Sequence, residues 1–215
     1  MNTDELIAIL ARDARPVRDG LVQRRLATFT GAGLCASLLL LLAWLPPRPD
    51  LPQALHGTIF WAKGAYTLCF ALVGARALER LARPDGRVPP GVPGLLAMAV
   101  ALMAGAAVIG LARAAPDLRI ALWMGDSAPV CSLRIVALAG PLLLMTLAAT
   151  RSLAPTRLRT AGAAAGLLAG GLSASVYALH CPESAPAFIV CWYSLGMLSC
   201  AAIGALVGPA ILRWR

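Results

Sequence analysis

His180, Cys181, Pro182, Glu183, Ser184, Ala185 and Pro186 place an imidazole, a thiol and a carboxylate in one short polar link between two long apolar runs. A second thiol, Cys131, follows another polar stretch, Trp123-Met124-Gly125-Asp126-Ser127-Ala128-Pro129. Two thiols in separate links allow two chemistries. If their Cα atoms approach to about 5 to 6 Å they can form a reversible disulfide that ties one link to the other. As thiolates, joined by His180 and by Glu183 or Asp126, they make a soft site suited to Zn, Cd or Cu(I), with Met124 and Met197 as thioether help. Cys131, Cys181, His180 and Glu183 are thus candidate signal-sensing residues, and Cys131, Cys181 and His180 candidate metal ligands. Neither chemistry needs a resident cofactor or a catalytic residue.

The elements that position these groups follow from composition. Of the 215 residues, 59% are hydrophobic and 13% charged, with mean hydropathy +0.75, beyond what a soluble domain carries. A hydrocarbon core of about 30 Å needs about 20 apolar residues per helix. Six stretches qualify: 27 to 45, 58 to 78, 94 to 113, 129 to 150, 160 to 179 and 187 to 209. They are rich in Ala, Leu and Gly and lack the strict alternation of barrel strands. The expected fold is all-α, a polytopic integral membrane protein built as a six-helix transmembrane bundle. Two prolines in the 180–186 link fix φ and remove backbone donors, so the chain turns there.

Arginine placement gives the orientation, because short basic loops are retained in the cytoplasm. The amino-terminal tail carries Arg12, Arg15, Arg18, Arg24 and Arg25; the second-to-third link carries Arg76, Arg80, Arg83 and Arg87. Arg151, Arg157 and Arg159 lie in the fourth-to-fifth link, and Arg213 and Arg215 end the chain, which makes 14 of the 19 basic residues on one side. Both termini are therefore expected in the cytoplasm. The net charge of +9 reads as topology and headgroup attraction, and no basic stretch carries the interleaved aromatics of a nucleic-acid surface. Cys131 and Cys181 then share the oxidising outer face, with access to water. Cys35, Cys69 and Cys200 fall inside apolar runs as small buried hydrophobes, and Cys191 lies deeper than the outer link. Lys63 and Arg134 enter spans from the outer end, where they snorkel or pair with Asp126, Glu183 or Asp117.

Two regions result: a cytoplasmic tail, 1–26, and the transmembrane domain, 27–215. The polar tail excludes a cleavable secretory signal, and Leu34 before Cys35 excludes a lipidation site. Asn2 and Glu5 start a helix on which Leu6, Ile9, Leu10 and Asp13 recur at helical spacing up to Pro16. So short an amphipathic helix needs a surface: the bundle, the membrane or a partner protein. Gly162, Gly166 and Gly170 form a ladder that lets another helix backbone approach closely, within the chain or in a homodimer. Trp44, Trp61, Trp123, Trp192, Tyr193 and Trp214 suit an interfacial belt.

Several segments together resemble the NrsF-type six-span membrane anti-sigma factors, negative regulators of extracytoplasmic-function sigma factors. They are Leu6-Ile7-Ala8-Ile9-Leu10-Ala11 through Pro16-Val17, Trp61-Ala62-Lys63, Cys131 after a Trp-x-Gly loop, and His180-Cys181-Pro182-Glu183 followed by Phe188, Trp192-Tyr193 and Gly196-Met197. The resemblance spans essentially the whole chain. It implies that the tail, through Leu6, Ile7, Ile9, Leu10 and Asp13, holds a sigma factor at the membrane. It also implies that Cys131 and Cys181 receive an oxidative or heavy-metal signal. Such a protein touches the lipid bilayer and the sigma factor, with no direct nucleic-acid contact.

Two other classes lack a feature they need. A membrane thiol-disulfide oxidoreductase would present a Cys-x-x-Cys pair, and none occurs. A small transporter would carry paired intramembrane carboxylates or broken helices at the midplane, whereas every Asp and Glu lies near a span end or in a link.

Overall fold

The computed structural model describes residues 2–5, 7, 20–83 and 86–213, and all regular structure among them is helical. Six long helices dominate: α1 Leu21–Trp44, α2 Thr58–Leu81, α3 Gly91–Arg113, α4 Ala128–Arg151, α5 Leu158–Tyr177 and α6 Pro186–Ile211. Five are long and apolar enough to cross a membrane, the fourth when taken with the short helical turns before it as Pro116–Arg151. The helix outside that group is α5. Its Gly, Ala and Ser content lowers its hydropathy for a physical reason: thirteen of its 20 residues are buried, so it meets other helices on nearly every side.

Glycine makes that central position accessible. A Cβ on Gly166 would stand 2.1 Å from the Cys200 carbonyl oxygen, and one on Gly162 equally close to that of Gly204. On the opposite face, a Cβ on Gly171 would lie 2.4 Å from the Ala71 nitrogen of α2. The Gly162, Gly166, Gly170 ladder is therefore used within the chain, against α6. Elsewhere, α1 runs antiparallel to α4, where the buried Ser37 hydroxyl donates to the Leu138 carbonyl at 2.9 Å. The outlying helix is α3, whose sole buried residue is Ala107.

Apolar packing concentrates at two ends of the bundle. One cluster joins Leu26, Leu78, Leu81, Leu147, Ala161 and Leu212, beside the arginine-rich helix ends. The other joins Leu41, Tyr66, Cys131, Tyr177, Cys181, Phe188 and Tyr193. The thiols thus sit at the end opposite Arg80, Arg151, Arg159 and Arg213.

Helix bounds depart from the expected spans mainly at α1, which begins six residues earlier, after Gly20 with φ +79°. Residues 21–26 of the anticipated tail belong to that helix. In the tail itself Thr3, Asp4, Glu5 and Ile7 are helical and Ile7 is exposed; Leu6, Ile9, Leu10 and Asp13 lie outside the described residues.

Candidate functional site

Three elements carry the two thiols together. Cys131 stands in the first turn of α4, while Cys181 follows α5, its N–H still bonded to the Tyr177 carbonyl at 3.0 Å. The first turn of α6 covers them with Phe188, after which the helix loosens to a π-turn at Ile189–Tyr193. Ser132 satisfies the Trp192 carbonyl of that turn, donating at 2.7 Å, so the wider turn is locked to α4.

The thiols of Cys131 and Cys181 are free and share one buried cluster, with Ser127 Oγ 3.9 Å from the Cys181 sulfur. Both residues are 0% exposed, which corrects the expectation of thiols open to water. The reason is tertiary: the link folds inward over the bundle end instead of standing out from it. Cys181 is pulled below the ordinary thiol range, first by the neighbouring Cys131 thiol and then by the Lys63 charge, against the opposing effect of burial.

Lys63 is the residue that sequence reasoning placed wrongly. Among the described residues it neither snorkels nor pairs with a carboxylate: at 1% exposure its ammonium donates to the carbonyls of Cys181 at 3.1 Å and Glu183 at 2.7 Å. It also lies 5.1 Å from the centre of the Tyr193 ring. Arg48, in the α1–α2 link, adds a donor to the Cys181 carbonyl at 3.4 Å and is itself held by Asp50, with Nε donating at 2.7 Å. That bond raises the Arg48 pKa and lowers the Asp50 pKa. The sequence signal for Lys63 was a lone lysine in an apolar run; Arg48 gave none.

His180 is engaged by groups other than the sulfur pair. Its Nδ1–H donates to the Pro46 carbonyl at 2.6 Å, and because a guanidinium can only donate, Nε2 accepts from Arg134 at 3.2 Å. Both ring nitrogens are engaged, so the anticipated set Cys131, Cys181 and His180 does not converge. Among the described residues, no group of three His, Cys, Asp or Glu side chains is placed to hold a metal ion. Nor does Arg134 find an acidic partner among them.

Glu183 acts on the neighbouring loop. Its carboxylate accepts the Asp126 N–H at 2.8 Å and lies 2.6 Å from where a Cβ of Gly125 would be. With φ +52° at that position, the backbone itself requires glycine. Trp123 and Trp192 complete the fastening: Trp123 Nε1 donates to the Cys191 sulfur at 3.2 Å, and Trp192 Nε1 to the Trp123 carbonyl at 3.0 Å. Cys191 is thus exposed and tied to the loop. Of the other cysteines only Cys200 is buried as expected; Cys35 is exposed and Cys69 half-buried.

The arrangement can make or break one sulfur–sulfur bond between α4 and the α5–α6 link, with a cation clamping one partner. A family model described as NrsF, negative regulator of sigma F, matches residues 10–214. The chain is 45% identical over 218 residues to the anti-sigma-F factor NrsF of Caulobacter vibrioides (strain NA1000 / CB15N), covering 100% of each chain. It is 42% identical over 214 residues to the probable anti-sigma-F factor NrsF of Azospira oryzae (strain ATCC BAA-33 / DSM 13638 / PS), again over 100% of each. No solved structure matches it.

Proposed function

The chain belongs to the NrsF family of negative regulators of sigma F, and from that membership we propose that it is an anti-sigma factor of the bacterial inner membrane. In this reading six helices span the bilayer with both termini in the cytoplasm. The tail, 1–26, holds an extracytoplasmic-function sigma factor through Leu6, Ile7, Ile9, Leu10 and Asp13. Signal reception falls to Cys131 and Cys181, with His180 and Glu183 shaping their surroundings.

The supporting observation is the joining of the two thiols from different elements at the end of the bundle away from the arginine-rich helix ends. A change in their bonding alters how α4 meets the α5–α6 corner, and those helices run to the other end. No catalysis is needed: a tenfold weakening of a complex takes about 1.4 kcal/mol, within the roughly 1 to 3 kcal/mol of ordinary allosteric coupling. Thiol oxidation is favoured over metal capture because His180 is committed elsewhere. An oxidoreductase or transporter has no support among the relatives.

The test is co-purification of the host's sigma factors with the detergent-extracted protein, with and without residues 1–26, beside a reporter of the sigma-dependent genes in Cys131→Ser and Cys181→Ser strains. Truncation is expected to abolish capture and each serine variant to change induction. Capture that survives truncation, together with unaltered induction, refutes the proposal.

A further inference from the structure

The fully buried ammonium of Lys63 has two backbone carbonyls and an aromatic face around it, and among the described residues no carboxylate is ion-paired with it. Desolvating an unpaired cation is costly, so such a group is retained only where something answers its charge. The acids nearby are already engaged. Glu183 turns its carboxylate to the Asp126 N–H, and Asp50 is taken by Arg48. The sulfur pair remains. Of its two members, Cys181 has its carbonyl bonded to Lys63, whereas Cys131 approaches from α4.

We infer that Lys63 is a positioning residue of the thiol site, clamping the Cys181–Glu183 turn and setting its charge beside the pair, so that Cys181 is the nucleophilic thiol and Cys131 its supporting partner. The inference rests on the thiol-sensing reading and adds to it an order of events: electrophiles meet Cys181 first. Burial of the ammonium also makes the effect persistent, since salt screens such a pair far less than an exposed one. The groups facing Cys181 are Cys131 from α4, Lys63 from α2, Arg48 from the α1–α2 link, Tyr177 from α5, Tyr193 from α6 and Glu183 from its own link. Of these only Lys63 combines a positive charge with full burial.

The experiment follows alkylation of Cys181 by iodoacetamide in the full-length, detergent-embedded protein, quantified at the Cys181 peptide by mass spectrometry from pH 4 to 10. Opening of the turn scales the rate alike at every pH, whereas the midpoint of the profile follows ionisation of the sulfur. Lys63→Met is expected to move the midpoint upward by about one pH unit or more, which is about a tenfold slower reaction below both midpoints. Lys63→Arg should restore a midpoint near that of the native protein. Circular dichroism checks folding. Should Lys63→Met not fold, Lys63→Gln keeps a donor to the carbonyls, removes the charge and is read in the same way. An unmoved midpoint in the neutral variants, or faster alkylation of Cys131 than of Cys181 in the native protein, overturns the inference. Because sigma release is not part of this readout, such a result leaves the sensing proposal standing on its own reporter test.

Discussion

Replacing Gly166 by alanine puts a methyl group where α5 and α6 meet backbone to backbone. The added Cβ would stand 2.1 Å from the Cys200 carbonyl oxygen, 2.7 Å from its carbon and 2.8 Å from the Ala201 Cα. A tolerable carbon–oxygen contact is about 3.3 Å, so the helices must part by roughly 1.2 Å or the carbonyl must tilt out of its own helical bond. Backbone cannot rotate away as a side chain can, and overpacking of this kind costs about 1 to 3 kcal/mol. Alanine's better helix propensity returns less than about 1 kcal/mol. The matched control is Gly105→Ala in α3, where nothing lies within 4 Å of the new Cβ. We expect Gly166→Ala to melt about 4 to 8 °C below Gly105→Ala in the same detergent, taking about 2 kcal/mol between them at about 2 to 4 °C per kcal/mol for a chain of this size. Thermal unfolding followed by circular dichroism supplies the comparison. Equal melting temperatures would refute the tight α5–α6 packing on which the central position of α5 depends.

Gly125→Ala meets both a left-handed backbone, φ +52°, and the Glu183 carboxylate 2.6 Å from its Cβ. A loss of about 1 to 3 kcal/mol is expected, together with faster alkylation of Cys181 as the 119–127 loop loosens; unchanged protection of Cys181 would show that the loop does not cover the pair. For Asp50 the sign follows from its lowered pKa in the Arg48 bond. The folded state holds that proton less tightly, so the stabilisation is present above the unfolded carboxylate pKa and is lost as pH falls through the lower folded value. The melting-temperature gap between the native protein and Asp50→Asn should therefore narrow below about pH 4, and a gap constant from pH 3 to 6 would contradict the pairing.

The all-helical architecture was legible in the residues because a helix that faces outward must be apolar along its whole length, and such length is countable. The ladder of Gly162, Gly166 and Gly170 announced a close helix contact for the same reason: only the absence of a Cβ allows it. Cys131 and Cys181 could be singled out, since thiols in polar links are scarce in so apolar a chain. What the residues did not disclose is where each polar group turns. Lys63 was compatible with reaching out to water or inward to the Cys181 and Glu183 carbonyls, and His180 with ligation or with its bonds to Pro46 and Arg134. Likewise α5 read as one span among six, yet it is the helix against which α1, α2, α4 and α6 pack.

Length, hydropathy and glycine spacing are properties of one segment, and so the sequence alone determined the helices and their small-residue faces. Burial of the thiols, the partners of Lys63 and Glu183, and the bonding of His180 to Pro46 and Arg134 depend on how segments far apart in the chain approach one another. Those were decided by tertiary packing, where a carbonyl from one link and an ammonium from another helix find each other because both have been removed from water.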